Sequence, residues 1–128
     1  MEKDRSRSFE DLVVWQKAHA FTLDIYKITK YYPKEELFGL TSQFRRASVS
    51  IAANIAEGYG KRTSKDKLRF YNIAEGSINE SKYYILLSKD LIYIDKQESD
   101  RLYENLETIK KLLFSYSRAL SQNTATDY

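Results

Sequence analysis

The feature that most constrains the fold is a repeating three- and four-residue spacing of apolar side chains, which recurs in four segments of the chain. In an α-helix this spacing gathers the apolar side chains into one seam that packs against neighbouring helices. The clearest seam is in the last segment: Leu102, Leu106, Ile109, Leu113, Tyr116 and Leu120. No segment has the alternating pattern of a β-strand. The sequence therefore predicts an all-α fold, an antiparallel up-down-up-down four-helix bundle.

Local signals set the helix ends. Pro33 ends the first helix, because the residue before a proline is pushed out of the α region. The second helix is predicted from about Leu40 to Glu57, and the seam of the third runs from Tyr71 to Ile92. Two pairs have the spacing of helix-capping residues at the starts of the third and fourth helices: Thr63 with Asp66, and Asp95 with Glu98. Gly58 and Gly60 are predicted to cap the end of the second helix.

A chain of 128 residues suits one domain. We place the bundle at residues 9–120, with a flexible N-terminus at 1–8 and a flexible tail at 121–128. The ten residues from Ala47 to Ala56 carry no charge, so this half of the second helix is expected to be buried on several sides. A membrane helix needs about 20 apolar residues. We therefore expect no membrane span, and the absence of a signal peptide pattern predicts a cytoplasmic protein.

The residue types present argue against an enzyme. The chain has no cysteine and a single histidine, which removes disulfides, thiolate metal sites and multi-histidine metal sites. A di-iron bundle needs Glu-x-x-His pairs, whereas Gln16 precedes His19 at that spacing. The segment around Gly58 and Gly60 lacks the spacing of a phosphate-binding loop. We predict no catalytic residues, no metal and no cofactor.

Positive charge is concentrated between the second and third helices. The net charge is +3, but residues 37–69 carry +5 and the remainder of the chain sums to −2. The short basic segment consists of Lys61, Arg62, Lys65, Lys67 and Arg69. Cations bind phosphates, and the flanking Tyr59 and Phe70 can stack on unpaired bases, so the segment predicts RNA or DNA binding. Arg45 and Arg46 extend this surface only if they face solvent on the same side. The alternative is a solvated loop on a scaffold that binds a protein partner.

Two further features point beyond an isolated bundle. Several aromatic residues lie off the seams, which favours a homo-oligomer, although a wide core with scattered surface tyrosines is the alternative. The pentapeptide Asn-Ile-Ala-Glu-Gly occurs at residues 54–58 and again at 72–76. The second copy puts Gly76 inside a helix, where glycine is about 1 kcal/mol less favourable than alanine. We therefore expect another backbone to approach Gly76 closely.

Several motifs together resemble the family of 23S rRNA-intervening-sequence proteins. The central match is SIAANIAEGYGK at residues 50–61, supported by FEDLVVWQKA at 9–18 and by QFRRA at 43–47, which follows Gly39-Leu40. Ala74, Gly76, Ser77 and Glu80 fit the Ala-x-Gly-Ser-x-x-Glu pattern of that family. The resemblance covers about residues 9–120.

The resemblance implies a bacterial four-helix bundle that assembles into a barrel-like homopentamer. The family includes relatives of the accessory protein of diversity-generating retroelements, which binds nucleic acid and contacts a reverse transcriptase. A reverse transcriptase is thus an implied partner if the gene is linked to a retroelement. Those accessory proteins are typically more basic than this chain, so its charge of +3 favours the branch that has no settled activity.

Overall fold

The computed structural model describes residues 7–124 and consists of four long helices. They are α1 (Val13–Thr29), α2 (Leu40–Tyr59), α3 (Ser64–Asp90) and α4 (Lys96–Thr124), with short 3-10 turns at Phe9–Asp11 and Lys34–Glu36. There is no β-strand between residues 7 and 124. The prediction of an all-α fold with four helices is confirmed. Residues 1–6 and 125–128 of the predicted flexible ends lie outside the described range, and α4 itself runs four residues past the predicted end of the bundle.

Each of the four helices packs against two neighbouring helices. α1 lies beside α2 and α4, and α3 lies beside α2 and α4, while within residues 7–124 the backbones of the two diagonal pairs stay apart. Contacts between neighbours occur in reverse order along the two helices: Gly58 meets Tyr71, whereas Arg46, twelve residues earlier, meets Glu80. The seams fill the core, and the largest side chains that are almost wholly buried include Phe21, Phe44, Ile51, Ile55, Ile78, Ile85, Leu102, Leu106 and Ile109.

The predicted caps of α3 and α4 are confirmed. The Thr63 side chain accepts a hydrogen bond from the backbone N–H of Asp66 at 3.1 Å, and Asp95 accepts one from that of Glu98 at 2.8 Å. Each supplies a partner for an N–H group that the first helical turn leaves free. These two caps fix where α3 and α4 begin, and hence the lengths of the joins before them.

Three expectations need correction. Ile92, predicted in the seam of α3, lies beyond the end of that helix and is 87% exposed. Gly60 does cap α2, but Gly58 lies inside the helix and is buried against the ring of Tyr71. No atom lies within 4 Å of the position that a Cβ on Gly76 would occupy, so no neighbour within residues 7–124 approaches it closely.

The uncharged half of α2 is only partly buried. Ile51 and Ile55 are fully buried, but Val49 is 42% exposed and Ala53 also faces solvent. The expectation of burial on several sides is thus wrong for the outer stripe of this helix. Across residues 7–124, no helix combines the length and apolar character that a membrane span requires.

Candidate nucleic-acid interface

The predicted basic segment lies at one end of the bundle, where a four-residue join connects α2 to α3. α2 stops at Gly60, whose N–H bonds back to the carbonyl of Glu57 at 3.2 Å. α3 starts directly after its Thr63 cap. Lys61 and Arg62 therefore sit on the join, and the remaining three cations occupy the first two turns of α3. Because the join is short, the segment is held as one compact surface.

Lys67 has a structural task within this segment. Its ammonium group donates hydrogen bonds to the carbonyls of Tyr59, at 2.7 Å, and Gly58, at 3.4 Å. It also lies 5.5 Å from the centroid of the Tyr59 ring. A cation at this point satisfies free carbonyls at the negative end of the α2 dipole. Lys67 is half-buried and ties α2 to α3, so less of its charge is available to a ligand.

Of the other four cations, three are exposed and Lys61 is half-buried. Arg62 and Lys65 are exposed and make no ion pair or hydrogen bond with residues 7–124. Lys61 lies 3.9 Å from the Glu57 carboxylate, a pair on a surface accessible to solvent and therefore weak. Arg69 is also exposed. These four side chains, Lys61, Arg62, Lys65 and Arg69, are called the α2–α3 patch below.

An aromatic ring lies within the α2–α3 patch. The Lys61 ammonium is 5.0 Å and the Arg69 guanidinium 5.1 Å from the centroid of the half-buried Phe70 ring. Both distances are within the range of cation–π attraction. Phe70 therefore holds two cations of the patch near each other. The sequence placed this ring at the edge of the basic segment, but spacing alone did not show that two cations share it.

Arg45 and Arg46 do not join the patch. They lie more than three turns before the end of α2, about 20 Å along the helix axis from Tyr59. The Arg45 side chain donates to the hydroxyl of Thr29 at 2.8 Å and lies over the ring of Tyr26. It thereby fastens α2 to the end of α1. The structure thus does not bring this residue together with the basic segment.

Arg46 belongs to a separate polar cluster between α2 and α3. It forms a salt bridge with Glu80, and the same carboxylate accepts a hydrogen bond from Tyr84 at 2.8 Å. Burial, followed by the bond to Glu80, raises the pKa of Tyr84. Glu80 therefore clamps two helices together. These contacts give this residue of the motif a structural role in packing.

The charge of the chain is concentrated at this end of the bundle. Residues 57–69 carry a net charge of +3, which equals that of the whole chain. The two acids in that stretch are Glu57, beside Lys61, and Asp66, which follows the Thr63 cap. A local excess of positive charge on a chain whose other charges cancel attracts polyanions at close range. The patch is suited to phosphate contacts with a short length of backbone.

The described part of the chain offers little for catalysis. His19 is exposed and stacks on the Trp15 ring at 4.9 Å. No cluster of three or more potential metal ligands occurs between residues 7 and 124. A cavity of about 590 Å³ opens between the end of α1 and the start of α4, where the carboxylate of Glu98 and the guanidinium of Arg101 neutralise each other.

Comparisons with known proteins show the family of the chain and a similar fold. Residues 10–115 match the family model described as 23S rRNA-intervening sequence protein. The fold is similar to the crystal structure of a protein of unknown function from the S23 ribosomal protein family of Bacteroides thetaiotaomicron, with a TM-score of 0.77 and 29% identity. That match covers 83% of this chain and 96% of the other. No curated protein matches the sequence.

Proposed function

The chain belongs to the 23S rRNA-intervening sequence protein family, and from that premise we propose that it is a non-enzymatic, homo-oligomeric bundle that binds RNA or DNA weakly. The contacts are made by the α2–α3 patch. The observation that carries the proposal is the presence of four cations at one end of the bundle, among which Arg62 and Lys65 have no partner within residues 7–124. Each phosphate contact releases condensed counterions, which supplies affinity without sequence preference.

We infer an antiparallel up-down-up-down topology and a five-subunit assembly. The reversed contact order of neighbouring helices and their short joins support the topology. The pentamer is the assembly implied by the family resemblance. Five patches at one end of a ring multiply a weak contact by avidity. A reverse transcriptase is a proposed partner if the gene is linked to a retroelement.

The proposal is tested by binding of a fluorescent single-stranded RNA and of a duplex DNA across a salt series. The variant replaces Lys61, Arg62, Lys65 and Arg69 with glutamine and keeps Lys67, because Lys67 caps α2. Each phosphate contact with a single strand contributes about 0.7 to the slope of log affinity against log salt. We expect the variant to lose most of its affinity and of that slope.

A matched control removes four positive charges elsewhere. Lys17, Lys27, Lys30 and Lys34 are exposed on α1 and on the join that follows it, and they are replaced with glutamine in the same way. The control protein has the same net charge as the patch variant. Equal losses in the two variants would show that binding follows net charge alone. Unchanged binding in the patch variant would overturn the assignment.

A protein-binding scaffold is the second candidate. Tyr31, Phe38 and Ile92 are 89%, 91% and 87% exposed, and they lie on the two joins at the end of the bundle away from the patch. Large exposed apolar side chains at one place are typical of surfaces that bind proteins. Absence of nucleic-acid binding at low salt would favour this function.

A further inference from the structure

A hollow of about 290 Å³ opens at the corner where α1 ends and α2 begins, and it is called the α1–α2 hollow below. Three cations line it: Lys30, Lys34 and Arg45. None of the eight residues around it, all within the described part of the chain, is an aspartate or a glutamate. Lys30 and Lys34 are exposed, and their side chains make no ion pair or hydrogen bond with residues 7–124. The α1–α2 hollow is therefore a site of unbalanced positive charge.

Arg45 reaches the α1–α2 hollow with much of its hydrogen-bonding capacity unused. A guanidinium has five N–H donors. The Nε–H of Arg45 donates to the Thr29 hydroxyl at 2.8 Å, and Nη2 donates to the Tyr26 carbonyl at 3.4 Å. The side chain is half-buried, yet it pairs with no carboxylate within residues 7–124. Because buried charges in proteins are normally paired, the remaining donors at the wall of a hollow indicate a place for an anion.

The hydroxyl of Thr41 is a second, independent sign of a ligand. Thr41 lines the α1–α2 hollow and is only 3% exposed, but its side chain makes no hydrogen bond with residues 7–124. Within that range, Ser81 has the only buried side-chain polar atom that lacks both a partner and access to water. The Thr41 hydroxyl therefore still reaches water, and the hollow is where this residue is open. A buried hydroxyl without a protein partner is unfavourable, so it is suited to bind a ligand oxygen there.

The acids on the join between α1 and α2 do not neutralise this charge. The Glu36 carboxylate accepts hydrogen bonds from the N–H of Leu40 at 3.2 Å and from the hydroxyl of Tyr93 at 2.9 Å. Neither Glu35 nor Glu36 lines the α1–α2 hollow. The two helix ends that meet at this corner carry opposite partial charges, which offset one another. The three cations therefore set the potential inside the hollow.

The size of the α1–α2 hollow suits a small ligand, because its volume is close to the lower limit of ligand pockets, about 300 Å³. An arginine fork binds two oxygens of a phosphate at once. We propose that the hollow binds a phosphate dianion, held by the Arg45 guanidinium and the Thr41 hydroxyl, with Lys30 and Lys34 supplying charge. The dianion is inorganic phosphate or the phosphate group of a small monoester, whose organic part lies against Pro33 and Leu37.

This site is separate from the proposed contacts with nucleic acid and does not depend on them. The α2–α3 patch is at the other end of α2, whose 20 residues span about 30 Å. The four-glutamine patch variant is therefore expected to bind phosphate as the wild type does. Calorimetric titration at constant ionic strength measures this binding, with inorganic phosphate and phenyl phosphate as the two probes. If the patch variant loses phosphate binding, the phosphate was bound at the patch, and the proposal is overturned.

Thr41→Val is the sharpest variant, because it removes the hydroxyl and keeps the shape of the side chain. The hydroxyl makes no hydrogen bond within residues 7–124, so thermal unfolding without phosphate should be unchanged or occur at higher temperature. We expect phosphate to bind about 10-fold more weakly, the effect of losing a hydrogen bond to a charged group. Arg45→Gln should weaken binding further, although it also removes the bond to Thr29. Unchanged affinity in Thr41→Val would overturn the proposal.

A pair of matched variants separates the site from net charge. Lys30→Gln with Lys34→Gln removes two cations of the α1–α2 hollow, whereas Lys17→Gln with Lys27→Gln removes two exposed cations that do not line it. Only the first pair is expected to weaken phosphate binding. Tighter binding of phenyl phosphate than of inorganic phosphate would support a monoester as the ligand, and equal binding would support inorganic phosphate. Absence of binding by both probes, or equal losses in the two pairs, would overturn the proposal.

Discussion

At the scale of single residues, the two glycines that end the repeated pentapeptide have opposite roles. A Cβ on Gly58 would lie 2.5 Å from Cε1 of Tyr71, a residue that is only 3% exposed. A Cβ on Gly76 would meet no atom within 4 Å. The same four residues thus precede a glycine in a tight packing contact in one copy and a glycine on an open helix surface in the other. Spacing within the sequence carries no information on this difference.

Alanine substitution at each glycine separates the two roles. Gly76→Ala is expected to raise the free energy of unfolding by about 0.5–1 kcal/mol, because alanine favours a helix and meets no neighbour. Gly58→Ala is expected to lower the free energy of unfolding by about 1–3 kcal/mol through overpacking against Tyr71. Urea unfolding at equal protein concentrations measures both. Changes of the same sign in the two variants would contradict the packing described for Gly58.

At the scale of elements, the end of α3 is unusual because a β-branched residue occupies a left-handed position. Ile92 has a φ of 64°, and the N–H of the following Tyr93 donates to the carbonyl of Ser88 at 2.9 Å. This is the bonding pattern of a Schellman motif, which normally has glycine at that place. A left-handed backbone is unfavourable for a residue with a Cβ by about 1–2 kcal/mol.

Ile92→Gly is therefore expected to raise the free energy of unfolding by about 0.5–1 kcal/mol, since relief of strain exceeds the added freedom of the unfolded chain. The side chain is 87% exposed, so little apolar burial is lost. Leu91→Gly is the matched control. Leu91 has ordinary helical angles, so this substitution relieves no strain and is expected to lower the free energy of unfolding. Thermal unfolding compares the two. A loss of stability in Ile92→Gly would argue against the strain.

The sequence predicted the helices better than their ends. Apolar seams and the Thr63 and Asp95 caps are local signals, and the structure confirms them. The assignment of Ile92 to a seam failed because its spacing continues the helical repeat although the helix has already stopped. The contacts of Lys67 and Arg45 with neighbouring helices were also not predicted from the sequence. Each binds groups at the end of another helix, which depends on how helices are arranged in space.

At the scale of the whole molecule, the sequence located the basic segment but overestimated its extent. Residues 61–69 are close in sequence, so a short join keeps them close in space. Arg45 and Arg46 are separated from them by the length of α2, and each is engaged with another helix.

The proposed assembly makes binding depend on strand length. The α2–α3 patch makes the contacts with nucleic acid, and the proposed homo-oligomer gathers several patches. We expect the wild type to bind a long single strand about 100-fold more tightly than a short one, because linked sites gain such a factor by avidity. The four-glutamine patch variant should lose binding and keep its oligomeric mass.

Strand length provides the internal control. A strand of about 8 nucleotides is near the size of one binding site on a small domain. Such a strand engages one subunit, whereas a strand several times longer spans neighbouring patches. Equal affinity for the two strands would remove avidity from the mechanism.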